Sequence, residues 1–185
     1  MMLEIGKKIE NYLDSIEEID RFSMAGSLRR LGETMKDIDF ILTTEKREIV
    51  RKKIVEMDHV KAVVANGDTK VSVTLEEEYD VNVDFRIVEE AEYATTLHHF
   101  TGSKDHNVKM RQLAKSRGEK INEYGVDVEE TGETIQFKTE EQFFKHFNLP
   151  FIAPELRENG TEVEKIIETT DILERKNIRG DLHMH

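Results

Sequence analysis

The chain has 185 residues, and its 39 acidic against 27 basic side chains give a formal net charge of −12. It contains no cysteine, which excludes disulfide frameworks and thiolate metal sites. With 37% hydrophobic residues, no signal-like N-terminus and no apolar run of membrane-spanning length, the sequence predicts a soluble, cytoplasmic protein of one domain or two small lobes, with no membrane partner.

The first predicted element is an amphipathic helix, because apolar residues recur at helical spacing from Leu3 to Ile19. A short strand at 21–25 then runs into the turn Gly26-Ser27. The next strand carries Asp37 and Asp39. Side chains two residues apart on a strand point to the same face, so these carboxylates can hold one or two hard divalent cations.

The rest of the first lobe is predicted as a helix at 46–57 and three strands at 60–65, 70–75 and 81–88. Asn66-Gly67-Asp68, between the first two of these strands, has the chemistry of a hairpin turn. Asp84 lies on the last strand, which could run beside the strand of Asp37 and Asp39. This order of elements predicts a mixed sheet with helices on one face.

The second lobe starts near Glu89 and reads as a smaller α/β unit. Its predicted elements are a helix at 91–100, a break at Thr101-Gly102, a basic helix at 104–117 ending at Gly118, strand-like pieces at 119–137, a helix at 139–147 and a Pro-bounded turn at 149–154. The tail at 161–179 is acidic. We interpret His98 and His99, within the first of these helices, as packing or surface residues rather than metal ligands.

Positive charge is concentrated in one segment of this acidic chain. Residues 104–120 hold six Lys and Arg against two acids, whereas residues 121–185 hold seven against fifteen. Phosphate neutralisation requires clustered basic side chains, so a nucleic acid would be bound locally at 104–120. An ordinary solvated helix face is the alternative interpretation of the same charges.

The chemistry indicated by the first lobe is nucleotidyl transfer. The turn Gly26-Ser27 offers backbone N–H groups at a helix start, where anions bind well. Asp37, Asp39 and Asp84 could surround Mg²⁺ beside that phosphate site. An Asp-x-Asp pair alone is common and is also typical of solvated turns. The prediction therefore depends on finding the Asp37–Asp39 pair together with the Gly26-Ser27 turn and Asp84.

Several runs together resemble the palm and thumb of the family X DNA polymerases, the group of DNA polymerase beta. They are Gly26-Ser27-Leu28-Arg29-Arg30, Glu33-Thr34, Asp37-Ile38-Asp39, Val83-Asp84-Phe85-Arg86, His99-Phe100-Thr101-Gly102-Ser103 and Asn122-Glu123-Tyr124-Gly125. The resemblance covers nearly all of 3–158 in family order. A Gly-Ser turn with Asp-x-Asp occurs in many nucleotidyltransferases, and the later runs make the resemblance specific.

The resemblance implies an α+β fold in three parts. Residues 1–88 would be the palm, the catalytic lobe, and residues 89–158 the thumb, which contacts nucleotide and DNA. Residues 159–185 would be a linker and the start of a truncated PHP phosphoesterase domain, because 180–185 resemble its opening in bacterial members.

The resemblance also implies the site residues. Asp37, Asp39 and Asp84 would be the catalytic carboxylates and would bind Mg²⁺ or Mn²⁺, with Asp84 joining the ion that activates the primer 3′-hydroxyl. The nucleotide would be bound by Gly26, Ser27, Arg30, Phe100, Thr101, Gly102, Asn107 and Arg111. DNA would be bound by Lys104, Lys109, Arg111 and Lys115.

The implied activity is that of a DNA-directed DNA polymerase, which transfers a nucleotide from a dNTP to a primer 3′-hydroxyl on gapped or primer-template DNA in repair. The chain departs from the family at Asn82, where DNA polymerase beta has Arg, and at His99, where Tyr is usual. It also has no helix-hairpin-helix region before Gly26, so we expect weak, salt-sensitive DNA binding. The alternatives are a non-catalytic nucleotide-binding fragment and a nucleotidyltransferase for another acceptor.

Overall fold

The computed structural model describes residues 2–31 and 37–169. Its helices are α1 (Met2–Asp14), α2 (Gly26–Leu31), α3 (Arg47–Val55), α4 (Tyr93–Thr101), α5 (Lys104–Ser116), α6 (Glu140–His146) and α7 (161–169). Its strands are β1 (Ile19–Ala25), β2 (Asp37–Thr44), β3 (Val60–Asn66), β4 (Lys70–Glu76), β5 (Asp80–Val88), β6 (Glu119–Asn122), β7 (Gly125–Val128) and β8 (Thr134–Ile135). Short 3-10 turns cover Glu90–Glu92 and Pro154–Leu156.

The first five strands form one sheet in the order β1-β2-β5-β4-β3. β2 and β5 are parallel, and every other neighbouring pair in this sheet is antiparallel. The predicted α+β fold with a mixed sheet is therefore confirmed. The parallel pair is what places the two acidic strands side by side.

The two faces of this sheet are covered differently. On one face, the apolar sides of α1 and α3 pack against the strands, and the buried side chains include Ile5, Ile9, Leu13, Val50, Ile54, Ile38, Phe40, Leu42, Val83 and Phe85. On the other face, Ile41 packs with Ala25, Tyr93 and Leu97 under α4. Because α4 covers only that part, the start of β2 stays open at Asp37.

The first helix is shorter than its apolar periodicity predicts. α1 ends at Asp14, and Ile19 begins β1 instead of a further helical turn, so that part of the prediction was wrong. The chain turns at Ser15, whose hydroxyl donates to the Tyr12 carbonyl oxygen. Ile16 is still buried in the same core, which is why its spacing resembled a continued helix.

The second lobe has its own core beside a small sheet of β6, β7 and β8. Aromatic residues of α6 and the segment after it fill this core, with Phe143, Phe144 and Phe147 buried. α5 is capped by Ser103, whose hydroxyl accepts from the His106 backbone N–H, and is followed by Gly118 at a φ of 72°. The predicted elements of this lobe are present near their expected positions.

The segment 159–169, expected to be part of a linker, packs on the second lobe as α7. Its Val163 is 2% exposed, and Ile166 and Ile167 lie against the same core. This packing follows from helical apolar spacing within a segment that is otherwise acidic. The run Glu33-Thr34 and the residues 170–185, including His183 and His185, lie outside the described residues.

In the ranges given above, no helix combines the length and the apolar character needed to cross a membrane.

Candidate functional site

Three carboxylates lie on the open face of the sheet where β2 and β5 run in parallel. Asp39 is directly opposite Asp84 in the strand register, and Asp37 is opposite Asn82. Their neighbours Ile38 and Val83 point into the core, so alternation turns the acids to the other face. Asp84 is therefore on the same face as Asp37 and Asp39.

Hydrogen bonds hold two of these carboxylates in place. Ser72 on β4 donates its hydroxyl to Asp84 Oδ1 at 2.6 Å. Asn82 donates its Nδ2 to Asp37 Oδ1 at 3.2 Å. Asn82, the departure from the family pattern, thus places an amide rather than a cation beside the acidic pair. The negative charge of the site is left less compensated as a result.

The electrostatics of Asp39 reflect this crowding. Burial raises the pKa of the Asp39 carboxyl above its ordinary value, and the negative charges of Asp84 and Asp37 raise it further. The guanidinium of Arg86 and the ammonium of Lys70 oppose the rise but do not cancel it. A partly buried cluster of like charges is a place where a bound cation would be strongly favoured.

Gly26 brings the backbone of the turn against Asp39. Its φ of 71° is a conformation that favours glycine. A Cβ at this position would lie only 2.8 Å from Asp39 Oδ2. A larger residue would push into the carboxylate, so glycine is needed here for close approach as well as for the turn. α2 starts at this glycine, and the structure places the predicted phosphate turn beside the acids.

The donor set fits a hard divalent cation in chemistry, because it consists of carboxylate oxygens. In the part of the chain that the structure describes, however, no three acidic or histidine side chains are gathered into a group that could hold a metal ion as they stand. The prediction that Asp37, Asp39 and Asp84 lie close enough together to share divalent ions stays a prediction. Ser72 and Asn82 are hydrogen-bonded to Asp84 and Asp37.

Arg30 and Thr101 join the phosphate turn to the elbow between α4 and α5. Arg30 donates its Nε to the Thr101 carbonyl oxygen at 2.8 Å. Gly102 has a φ of 73°, and a Cβ there would lie 3.6 Å from the same Nε. The structure thus brings together Gly26, Arg30, Thr101 and Gly102 from two distant parts of the sequence. Ser27 follows Gly26 in α2.

Phe100 lies at the rim of the acidic face. The Arg86 guanidinium lies over its ring, with the Cζ atom 3.9 Å from the ring centre. Arg86 follows Asp84 by two residues on β5 and therefore faces the same side. A cavity of about 430 Å³ is lined in part by Phe100, Arg86, Lys70 and Tyr124.

Asn107 and Arg111 line a second cavity, of about 350 Å³, whose wall also includes His99 and Tyr124. Asn107 is 9% exposed and donates its Nδ2 to the His99 carbonyl oxygen at 2.9 Å. Its Oδ1 is buried and has no hydrogen-bond partner among the described residues. Arg111, one helical turn further along α5, is exposed. An acceptor without a partner suits a ligand that donates a hydrogen bond.

The predicted DNA-binding lysines lie on different sides of α5. Lys104 and Lys115 are exposed, with Arg111 between them in the sequence. Lys109 instead forms an ion pair with Glu164 of α7. Its charge is therefore partly neutralised within the protein, which reduces what it offers to a phosphate.

An ionic network at the base of the elbow was not predicted from the sequence. Glu140 of α6 accepts two hydrogen bonds from Arg29, at 2.5 Å and 3.1 Å, and one from Arg157 at 2.8 Å. Arg29 also donates to the Thr101 hydroxyl at 2.7 Å. Arg157 is fully buried. Thr139-Glu140 looks like a helix start in the sequence, and nothing there identifies its distant partners.

Comparison with known proteins bears on this arrangement. A family model described as DNA polymerase beta thumb matches residues 96–158, which include the elbow, α5 and α6. The chain is 54% identical over 183 residues to a Bacillus subtilis protein named DNA polymerase/3′-5′ exonuclease PolX. Both similarities are to family X DNA polymerases. The aligned region is 99% of this chain but 32% of the Bacillus protein, so the chain spans about a third of that relative's length.

Two viral relatives are more distant. Each is named Repair DNA polymerase X and comes from African swine fever virus. A tick isolate's protein is 26% identical over 170 residues, which are 82% of this chain and 96% of the relative. A pig isolate's protein is 26% identical over 175 residues, which are 85% of this chain and 99% of the relative.

Proposed function

We propose that this chain is the palm and thumb of a DNA-directed DNA polymerase that transfers a nucleotide from a dNTP to a primer 3′-hydroxyl in gap-filling repair. The observation that carries the proposal is the placement of Asp37, Asp39 and Asp84 on one open face, directly beside the Gly26 turn. The names of the relatives support polymerase chemistry and repair.

In this proposal the turn and α2 bind the triphosphate. Backbone N–H groups at the start of α2, with Ser27 and Arg30, would hold the phosphates, since N–H groups at a helix start attract anions. Asp37, Asp39 and Asp84 would hold Mg²⁺ or Mn²⁺, which when bound would neutralise charge on the phosphates and favour ionisation of the attacking hydroxyl. Ser72 orients Asp84, the carboxylate proposed to lie nearest that hydroxyl.

The second lobe would position the sugar, the base and the template. Phe100 and the backbone at Thr101-Gly102 would lie beneath the incoming sugar, where a close backbone disfavours a 2′-hydroxyl. Asn107 and Arg111 would contact the minor-groove edge of the nascent pair. Two separate cores support the proposed division into a palm at 1–88 and a thumb at 89–158, followed by 159–185 as a connection to a PHP domain. We propose a cytoplasmic location.

The test is nucleotide incorporation on a one-nucleotide gapped duplex with Mg²⁺ and, separately, Mn²⁺. We expect metal-dependent extension of the primer by one nucleotide, weakened by salt. Binding of dNTP without extension under either metal would favour the non-catalytic alternative. Transfer to tRNA or to a small acceptor in preference to DNA would favour a different nucleotidyltransferase.

Arg30→Ala should weaken dNTP binding. Loss of one charge-assisted hydrogen bond to phosphate corresponds to roughly 1.5–3 kcal/mol. Titration calorimetry of the DNA-free protein, with and without Mg²⁺, measures the effect. Arg51→Ala is the matched control, because Arg51 pairs with Asp68 at the β3–β4 turn. Equal affinity in the Arg30 variant and the parent would show that this turn does not hold phosphates.

The lysines of α5 should contribute unequally to DNA affinity. We expect Lys104→Ala with Lys115→Ala to weaken binding to any sequence and to reduce the slope of log K against log salt by up to about 0.9 for each phosphate that is no longer neutralised. Lys109→Ala should have a smaller effect, because Glu164 already pairs with this side chain. Fluorescence anisotropy at several salt concentrations measures both. A larger effect at Lys109 would contradict this assignment of faces.

A further inference from the structure

Two buried histidines and a partly buried glutamate form a hydrogen-bonded chain in the second lobe, away from the carboxylates of the proposed active site. His98 of α4 and His106 of α5 join their Nε2 atoms at 2.9 Å. The other ring nitrogen of His106, Nδ1, lies 2.8 Å from Glu162 Oε1 on α7. His98 and His106 are 2% and 0% exposed. The chain therefore connects three helices through groups that can change protonation.

The acceptor at one end fixes the direction of every hydrogen bond when both rings are neutral. The Glu162 carboxylate can only accept, so His106 donates from Nδ1. His106 Nε2 is then the acceptor, and His98 must donate from its own Nε2. The arrangement thus needs His106 in the Nδ1–H tautomer and His98 in the Nε2–H tautomer. A proton added to His106 Nε2 would point two N–H groups at each other unless His98 changed tautomer.

The surroundings offer little compensation for an added positive charge. The His98 ring lies against Phe143 and Phe144, with ring centres at 4.5 Å and 5.5 Å. The charged or titratable groups that act on the two rings are Arg29, His99, Glu140, Arg157 and Glu162. Of the two acids, Glu140 is already bound by Arg29 and Arg157. Glu162 alone faces the histidine pair.

The same region fastens the segment 157–169 to the elbow and to α5. The Ser103 backbone N–H donates to the Arg157 carbonyl oxygen at 3.2 Å, and the Ser103 hydroxyl donates to the Glu158 carbonyl oxygen. Gly160 lies so close to α5 that a Cβ would be 3.1 Å from the Asp105 carbonyl oxygen. Glu162 adds the partly buried hydrogen bond to His106, which continues to His98.

We propose that His98, His106 and Glu162 form a pH-sensitive latch that holds α7 against α5 at neutral pH and releases it in mild acid. Released α7 can expose the histidines to water, where protonation is no longer opposed by an apolar, cation-flanked site. Because an isolated helix of this length is marginal in water, release would also unfold it. The latch links solution pH to the support of the helix that carries Asn107 and Arg111.

The titration behaviour supports the direction of this switch. Burial lowers the pKa of His98 well below its ordinary value, and the positive charges of His106 and Arg157 lower it further. Burial also lowers the pKa of His106, although the hydrogen bond to Glu162 opposes that change. A lowered histidine pKa gives stability that is present above the ordinary value of about 6.5 and is lost as pH falls below it.

Amide hydrogen exchange across pH 7.0 to 5.5 tests the latch on the whole chain. Each proton that only the released form can bind weakens docking by up to about tenfold per pH unit below about 6.5. We expect protection factors for 163–169, corrected for intrinsic exchange, to fall at least about tenfold, while those of β2 and β5 stay within about threefold. Unchanged protection of 163–169, or an equal loss in the sheet, would overturn the proposal.

Two variants distinguish the effect of the histidine pair from that of the nearby Lys109–Glu164 ion pair. His98→Phe retains an aromatic ring against Phe143 and removes one of the two titrating rings, so it should reduce the pH dependence of protection at 163–169 by the contribution of one proton, up to about tenfold per pH unit. Glu164→Gln, which breaks only the ion pair to Lys109, should lower protection by a similar factor at both pH values. A pH dependence in the His98 variant equal to that of the parent would contradict the proposal.

A measurement on the unaltered chain covers the case in which the His98 variant does not fold. Two-bond ¹H–¹⁵N correlation spectra report the tautomer of each ring. At pH 7.5 we expect Nδ1–H for His106 and Nε2–H for His98, both neutral. The opposite tautomer at His106, or a charged His98 at this pH, would overturn the latch.

Discussion

Asp39→Asn should abolish metal-dependent nucleotide incorporation on gapped DNA while leaving the chain as stable as the parent or more so. Asp39 is the central carboxylate, opposite Asp84 in the register and in contact with the Gly26 turn. Losing several kcal/mol of charge stabilisation in the transition state corresponds to a rate loss of more than about 10³-fold. Single-turnover extension assays measure it.

The Asp39→Asn variant should lose activity without losing stability, because folding of the parent places the Asp39 charge in a partly buried site next to Asp84. An uncharged amide removes this repulsion, so the thermal midpoint should stay the same or rise. Asp80→Asn is the matched control on β5, because Asp80 is exposed and pairs with Lys61. Retained incorporation in the Asp39 variant, after removal of contaminating polymerase, would end the proposed catalytic assignment.

Glu140→Gln should destabilise the fold by about 3–5 kcal/mol, because it removes the negative partner of two arginines held in a largely buried network. Arg157 is fully buried, so its charge cannot be solvated where it stands. Urea denaturation at pH 7 measures the free energy of unfolding. Glu141→Gln, one residue along α6 and exposed, is the control. Equal effects of the two substitutions would show that the network contributes little.

The stability difference between the parent and Glu140→Gln should depend on pH in a defined direction. Burial alone would raise the pKa of Glu140, but the hydrogen bond from Arg29 and the charges of Arg157 and Arg29 lower it overall, below the ordinary 4.5. A lowered carboxylate pKa gives stability that is present above the ordinary value and is lost as pH falls through the lowered one. The difference in stability between parent and Glu140→Gln should therefore shrink below about pH 4.5.

The parts of this molecule that the sequence predicted are those governed by local periodicity. Alternation along one strand was enough to place Asp37 and Asp39 on one face, because a strand has a fixed side-chain period. That Asp84 shares this face depends on the pairing of β2 with β5, which alternation does not give. The same kind of reasoning failed at Ile19, where helical spacing continued by coincidence past the turn at Ser15. Periodicity reports which face is apolar and does not report where the backbone hydrogen bonds stop.

Long-range polar pairs could not be predicted in this way. Arg29 and Glu140 meet because α2 packs against α4 and the 3-10 turn at Pro154–Leu156, and α4 in turn packs against α6. No spacing rule relates residues that far apart in the chain. The same holds for Lys109, whose partner Glu164 removes it from the set of lysines expected to face DNA. Choosing between a solvated basic face and a binding face required knowing which acids fold back onto it.

The short helix α2 has a mechanical consequence. One end of it begins at Gly26 against Asp39, and its other end carries Arg29 and Arg30, which both bind Thr101 at the end of α4. Any rotation of the second lobe about the sheet must therefore either pull on the turn beside the acids or break these two contacts. α2 thus couples the two lobes mechanically, and the position of its glycine end beside the acids depends on the position of the second lobe.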